Sequence, residues 1–206
     1  MKKSTLAVAI LIFVTMISVC GQAMVMDRLL TVPTADLINS RALINGEIYS
    51  GSKRVVEGIF MTNSKLEIGG MVNFYNQREN ELGIRAKTVL SGETKEEPAI
   101  SAGIKNRDLY LVVSKNLGRG FRGHLGLGNG DFAGLFIGIN KILNPVSVEV
   151  TGAEKSPANL PVINLMGEYI NQQVNLGLRL DLQENLMLDF GLLDFDHFKI
   201  GLGIKL

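Results

Sequence analysis

The stretch that decides the fold is the last one in the chain, Phe198-Lys199-Ile200-Gly201-Leu202-Gly203-Ile204-Lys205-Leu206. Every second residue is apolar, and the residues between are glycine or lysine. Strict alternation with a period of two predicts a β-strand whose two faces meet different surroundings. An apolar face that continues to the last residue favours a strand with lipid on its outer side.

The composition points the same way. The chain has 206 residues, enough for one domain with a sizeable core, and its net charge of +1 gives no reason to expect a nucleic-acid partner. Hydrophobic residues make up 46% of the chain and charged residues only 20%. This composition is apolar for a soluble protein of this size.

The N-terminus has the three parts of a secretory signal peptide. Lys2 and Lys3 precede an apolar run from Leu6 to Val19, and Gly21-Gln22-Ala23 supplies the small residues of a cleavage site. We therefore predict a signal peptide over 1–23, which contains the single cysteine of the chain. After Ala23 no apolar run approaches the ~20 residues of a transmembrane helix, so a β-barrel is the remaining membrane architecture.

Short alternating segments recur through the rest of the chain and are separated by Asn, Asp, Gly and Ser, the residues of tight hairpin turns. We predict a periplasmic lead-in segment over 24–41 and a β-barrel over 42–206. The predicted strands are Ala42–Ser50, Arg54–Met61, Lys65–Tyr75, Asn80–Leu90, Ala99–Ile104, Asp108–Ser114, Phe121–Gly128, Phe132–Ile142, Val162–Ile170, Gln173–Leu182, Leu186–Leu192 and His197–Leu206.

The polar face of these strands mixes charge with glycine. Each glycine weakens a strand, so a solvated face has little use for them, whereas a crowded concave interior needs small residues. The pattern predicts an all-β fold, a single antiparallel up-and-down transmembrane β-barrel of about twelve strands, with a range of 10–14. Fourteen strands would result if Val146–Val150 paired with Leu29–Val32.

Short motifs resemble a known family. The run Val32-Pro33-Thr34-Ala35 precedes a glycine-punctuated β-meander that contains Gly167-Glu168-Tyr169 and Val174-Asn175-Leu176-Gly177. In these motifs the chain resembles small bacterial outer-membrane barrels of the YjbH-like family, which are linked to exopolysaccharide export. The resemblance implies a barrel in the outer membrane of a diderm bacterium and a link to envelope biogenesis, and it implies no catalytic residue.

The C-terminal strand is also similar to the signal that the barrel-assembly machinery recognises. Lys199, Gly201, Ile204 and Leu206 have the spacing of that signal, although Leu206 replaces the usual terminal aromatic residue. An ordinary closing strand is the alternative. The expected partners are outer-membrane lipid and the assembly machinery, and no specific protein or polysaccharide partner is predicted.

Charged side chains of both signs occupy the polar face. The predicted lumen residues are Glu67, Glu81, Arg85, Lys87, Arg122, His124, Glu168, Arg179, Asp181, Asp189 and Lys199. Because buried charges must pair, the simplest hypothesis is a salt-bridged network that fills the barrel, and a hydrated pore lined by the same residues is the alternative.

The sequence predicts no catalytic residue, no cofactor and no metal site. Ser114 and His124 lie on adjacent predicted strands, so they could meet as in an outer-membrane lipase, which also needs a third residue to orient the histidine. The leading hypothesis is an outer-membrane barrel with a structural, interaction or minor channel role. The rival is a soluble exported barrel of the lipocalin kind, which would place its aliphatic rows inward around an apolar ligand.

Overall fold

The wall of the molecule is a sheet closed on itself. The computed structural model describes residues 26–51, 53–144, 161–182 and 185–206, and the predicted signal peptide lies outside these ranges. The wall consists of β1 Ala42–Tyr49, β2 Lys53–Asn63, β3 Leu66–Tyr75, β4 Glu81–Ser91, β5 Ala99–Lys105, β6 Asp108–Gly118, β7 Phe121–Gly128, β8 Gly134–Ile142, β9 Val162–Ile170, β10 Gln173–Leu182, β11 Leu186–Leu193 and β12 His197–Lys205.

Each strand pairs antiparallel with its neighbours in sequence, and β1 closes the barrel by pairing with β12 from Leu43↔Lys205 to Tyr49↔Lys199. The prediction of a twelve-strand antiparallel barrel is confirmed. The fourteen-strand alternative is excluded because β1 and β12 pair directly, while Val146–Val150 lies outside the described residues.

The two ends of the barrel differ. Short turns follow β1, β3, β5, β7, β9 and β11 at one end, which we call the turn end. The other end, which we call the terminal end, carries the start of β1, the end of β12 and the two longest connections, 92–98 and 143–161. Among the described residues, the only helix is the short 3₁₀ turn Gly130–Phe132 at the turn end. Within the ranges given above, no helix has the length and apolarity needed to cross a membrane.

The apolar rows of the strands point outward. On β12, Phe198, Ile200 and Leu202 are 64%, 53% and 45% exposed, whereas Lys199 is 1% exposed. The same alternation holds around the wall, where exposed leucines and isoleucines flank buried charges. The fold therefore inverts the arrangement of a soluble barrel.

The segment predicted as a periplasmic lead-in lies inside the barrel. Met26–Ile38 is almost wholly buried and forms a hairpin that we call the luminal hairpin. Its limbs are joined by the bridge Arg28↔Pro33 and by the Thr34 N–H, which donates to the Asp27 carbonyl at 3.2 Å. The location differs from the prediction because wall side chains such as Glu168, Lys87 and Lys199 bind the backbone of this segment inside the lumen.

The luminal hairpin enters and leaves at the terminal end. Its second limb leads directly into β1, and the Ile38 N–H donates to Glu67 near the start of β3. The tip, Leu29–Val32, reaches the turn end, where the Lys199 ammonium donates to the Leu30 carbonyl at 2.6 Å. The first limb returns to Met26, which contacts Arg179 and Asn164 on the wall.

Luminal glycines make room for the tip. A Cβ on Gly177 would lie 2.6 Å from Leu30 Cδ2, and a Cβ on Gly191 would lie 3.0 Å from the same atom. A Cβ on Gly138 would likewise overlap the Leu29 side chain. Gly138, Gly177 and Gly191, which the sequence places on the polar face, are therefore the floor on which the apolar tip packs.

We expect Gly177→Val to destabilise the folded barrel by about 1–3 kcal/mol, because the added methyl groups overlap Leu30. In the double variant with Leu30→Ala the loss should be smaller than the sum of the single losses by at least ~0.5 kcal/mol, because removing Leu30 opens the space. The measurement is the temperature at which the detergent-folded form loses its heat-modifiable gel mobility. Gly167→Val is the matched control, since its Cβ would meet Ile139 at an ordinary 3.6 Å. Additive losses would contradict this packing.

Candidate functional site

The centre of the lumen holds one connected ion network, which we call the luminal ion network. Arg28 of the luminal hairpin bridges Glu47 at 2.7 Å and Glu57 at 2.8 Å. The network extends from Glu47 to Lys199 and from Glu57 to Arg85. Its eight members, four carboxylates and four cations, are Asp27, Glu47, Glu57, Glu67, Arg28, Arg85, Lys87 and Lys199. Buried charge in the network is therefore balanced one for one.

The luminal hairpin is part of this balance, because it supplies Asp27 and Arg28. Lys87 donates to the Asp27 carbonyl at 2.8 Å and to the Asp36 carbonyl, so one wall lysine ties both limbs together. Further along, Arg122 forms a two-pronged pair with the Asp36 carboxylate at 2.6 and 2.8 Å. Paired geometry of this kind is the strong form of a charged hydrogen bond.

The tip is held by a carboxylate that binds backbone. Glu168 on β9 accepts the Thr31 N–H at 3.1 Å and the Val32 N–H at 3.1 Å, and the Thr31 hydroxyl also donates to it. Asn175 donates to the same carboxylate at 2.8 Å. Glu168 thus satisfies the donors that the turn of the hairpin leaves open.

Ten of the eleven predicted lumen residues are buried on the inner face. Arg179 pairs with Asp189 at 2.6 Å, and Asp181 pairs with Lys205 at 2.7 Å. Glu81 is the exception: it is exposed at the start of β4 and pairs with Arg78. Sequence analysis missed Asp27, Arg28 and Asp36. The segment 24–41 that contains them has no alternating pattern that would place it within a barrel.

Ser114 and His124 do meet. The Ser114 hydroxyl lies 2.7 Å from His124 Nδ1, and His124 Nε2 lies 2.9 Å from Asn140 Oδ1. With Asn140 as acceptor, His124 carries its proton on Nε2 and accepts the Ser114 proton at Nδ1. The Ala35 N–H of the luminal hairpin in turn donates to Ser114 at 2.8 Å.

Ser114, His124 and Asn140 are the residue types of a hydrolase's serine, base and orienting residue, but the serine is not accessible to a substrate. Ser114 is 0% exposed and its oxygen lies against the hairpin backbone, so no carbonyl group can reach it in this state. The chain of hydrogen bonds continues from Asn140 to Asn164 and ends at Met26. It therefore links the two limbs of the luminal hairpin through the wall.

A polar cavity of about 370 Å³ opens at the turn end, between β1–β6 and the luminal hairpin. We call it the vestibule. The luminal ion network lines its floor with Arg28, Glu47 and Glu57, and Tyr49 and Tyr75 line its wall. Other lining residues are Lys53, Val55, Met71, Asn73, Arg78, Glu81, Lys105, Asn106, Asp108 and Asp131. The opposite half of the lumen at this level is filled by an apolar cluster around Val32, Phe132 and Phe136.

The residues of the predicted assembly signal divide between the two faces. Lys199 and Gly201 are buried on the inner face, and Lys199 is committed to Glu47 and Leu30. Ile204 and Leu206 are 42% and 63% exposed on the outer face. Among the described residues, no group of three or more His, Cys, Asp or Glu has a geometry that could hold a metal ion.

No family model matches the sequence, and no significant match is found among curated proteins. Solved structures do share the fold. The KdgM porin is 13% identical to this chain with a TM-score of 0.52, and the KdgM porin in complex with disordered oligogalacturonate is 12% identical with a TM-score of 0.51. Each comparison covers 80% of this chain and 98% of the porin. The Acinetobacter baumannii outer membrane protein Omp33 is 9% identical over 81% of this chain and 98% of its own, with a TM-score of 0.49. At these identities the likeness to KdgM is one of fold alone.

We expect Ser114→Ala to loosen the luminal hairpin by about 1–3 kcal/mol, because it leaves His124 Nδ1 and the Ala35 N–H without their buried partner. Hydrogen exchange at the Ala35 amide should accelerate by at least ten-fold, while Ser64→Ala in an exposed turn should leave it unchanged. An esterase activity that is present in the native protein and abolished by Ser114→Ala would contradict the structural role.

Proposed function

We propose that this chain spans a bacterial outer membrane and has a channel-like role, with its lumen closed by the luminal hairpin in the described state. The observation that carries the proposal is the inverted barrel, whose exterior is aliphatic and whose interior holds the ions. Monomeric soluble proteins rarely expose contiguous apolar patches above a few hundred Å². Here exposed apolar side chains occur on every strand of the wall except β5.

The same observation disfavours the lipocalin-like rival. That rival needs its aliphatic rows around an interior cavity, but the interior holds the luminal ion network and the vestibule that opens into it is polar. The strands are mostly eight to eleven residues long, which suits a tilted crossing of a ~30 Å hydrocarbon layer.

The channel-like part of the proposal is supported by how the luminal hairpin is attached. Both of its limbs run to the terminal end, and its contacts with the wall are non-covalent side-chain contacts. The hydrogen bonds between strands are complete without it, because β1 pairs directly with β12. Withdrawal of the hairpin toward the terminal end would therefore open a polar lumen without breaking the wall.

The link to envelope or exopolysaccharide biogenesis stays a prediction of the YjbH-like resemblance. Recognition of Lys199, Gly201, Ile204 and Leu206 by the barrel-assembly machinery likewise stays a prediction. Loss of secreted polysaccharide on deletion of the gene, restored by the native chain, is the result that the resemblance leads us to expect.

The membrane part of the proposal is tested by placing charge on the outer face. Ile200 is exposed at mid-strand, and an arginine there should cost about 2–4 kcal/mol in a lipid bilayer. Ile200→Arg should therefore fold poorly into vesicles, while Arg78→Ala at the exposed rim folds normally. Recovery of the native chain as detergent-free soluble protein would refute the membrane assignment.

The channel part is tested by single-channel recording in planar bilayers. We expect low conductance from the native chain and a several-fold higher conductance from a variant lacking residues 26–38, because the deletion empties the lumen. Glu168→Gln, which weakens the hold on the tip, should show brief openings of the same size. A deletion variant that keeps heat-modifiable mobility and conducts no better than the native chain contradicts the proposal.

A further inference from the structure

One cation at the floor of the vestibule lies outside the balanced network. Lys105 ends β5, is partly buried and lines the cavity, yet it forms no salt bridge with any described residue. Glu57 is the carboxylate that acts on it most strongly, but Glu57 is already bound by Arg28 at 2.8 Å and by Arg85 at 3.2 Å. A positive charge that burial has partly stripped of water is therefore left without a counter-ion of its own.

Two hydrogen-bond acceptors, one of them without a donor, lie near this cation on the same hairpin. The Asn106 amide oxygen is buried over Gly83 and has no hydrogen-bond partner. Asp108 is the cross-strand neighbour of Lys105, but its Oδ2 accepts the Asp131 backbone N–H at 2.9 Å instead of binding the lysine. The β5–β6 turn thus presents one unpaired cation beside the Asp108 carboxylate, with the buried Asn106 amide oxygen next to them in the chain.

We propose that the vestibule binds a small zwitterion that carries a carboxylate and an ammonium group on neighbouring atoms, that is, an α-amino acid. The ligand carboxylate pairs with Lys105, and the ligand ammonium donates to the Asp108 carboxylate, which lines the same cavity. Lys105, Asn106 and Asp108 lie within four positions of one another on one hairpin, which matches the short separation of the two charges in such a ligand.

The charge of the cavity favours a zwitterion over a simple ion. A plain anion would meet Lys105 but would also face Asp108 and Asp131, and a plain cation would meet those carboxylates but would face Lys105. The volume of about 370 Å³ lies at the small end of the range for small-molecule sites, so it leaves room for a polar side chain. Tyr49 and Tyr75 bound that remaining space.

The test is isothermal titration of the detergent-folded full chain with three matched probes. L-Serine carries both charges, 3-hydroxypropionate lacks the ammonium group, and ethanolamine lacks the carboxylate. We expect L-serine to bind at least ten-fold more tightly than either fragment. Lys105→Met should weaken L-serine binding at least ten-fold, Lys105→Arg should retain most of it, and Lys65→Met at the terminal end should leave it unchanged.

Equal binding of the three probes, no detectable L-serine binding to the native chain, or native affinity in Lys105→Met would each overturn the proposal. If Lys105→Met does not fold, the comparison of the three probes on the native chain still tests whether both charges of the ligand are recognised. Binding at equilibrium does not require conduction, so the outcome is separate from that of the channel recordings. L-serine binding can be found while the channel recordings fail, and the recordings can succeed while L-serine does not bind.

Discussion

The constraint on which the rest of the structure depends is the placement of charge inside a barrel whose outside is apolar. Ions on the inner face are cut off from bulk water, and each costs several kcal/mol unless it is paired. In the luminal ion network Arg28 of the luminal hairpin binds Glu47 and Glu57, which also pair with Lys199 and Arg85 of the wall. The wall and the luminal hairpin are therefore one electrostatic unit, although the backbone of the wall is complete by itself.

The dependence runs in both directions. A hairpin with no neighbouring strand has open N–H and C=O groups along both limbs, and burial of those groups without partners is unfavourable. The wall supplies the partners from side chains: Glu168 accepts N–H groups at the tip, and Lys87 and Lys199 donate to carbonyls. These three side chains face the lumen, and in this structure they are hydrogen-bond partners of the luminal hairpin.

The wall could be predicted from sequence, because alternation along each strand separates two faces and the glycines among the charges indicate that the polar face is the interior. Strand order alone also allowed a contact between Ser114 and His124, and the structure shows that contact. The luminal hairpin could not be placed in this way, since a segment inside a barrel has no alternation to reveal its surroundings. The glycines were the available clue: Gly177 and Gly191 on the inner face indicate a close neighbour, but only the fold shows that the neighbour is Leu30.

Contacts of two kinds hold the luminal hairpin, at two levels of the barrel. Ionic and hydrogen-bonded contacts dominate at mid-barrel, whereas the tip packs through Leu30 and Val32 against apolar wall residues at the turn end. Arg28 forms part of the vestibule floor together with its partners Glu47 and Glu57. Hydration of that one guanidinium weakens two ion pairs at once, so the vestibule and the luminal hairpin are energetically coupled through it.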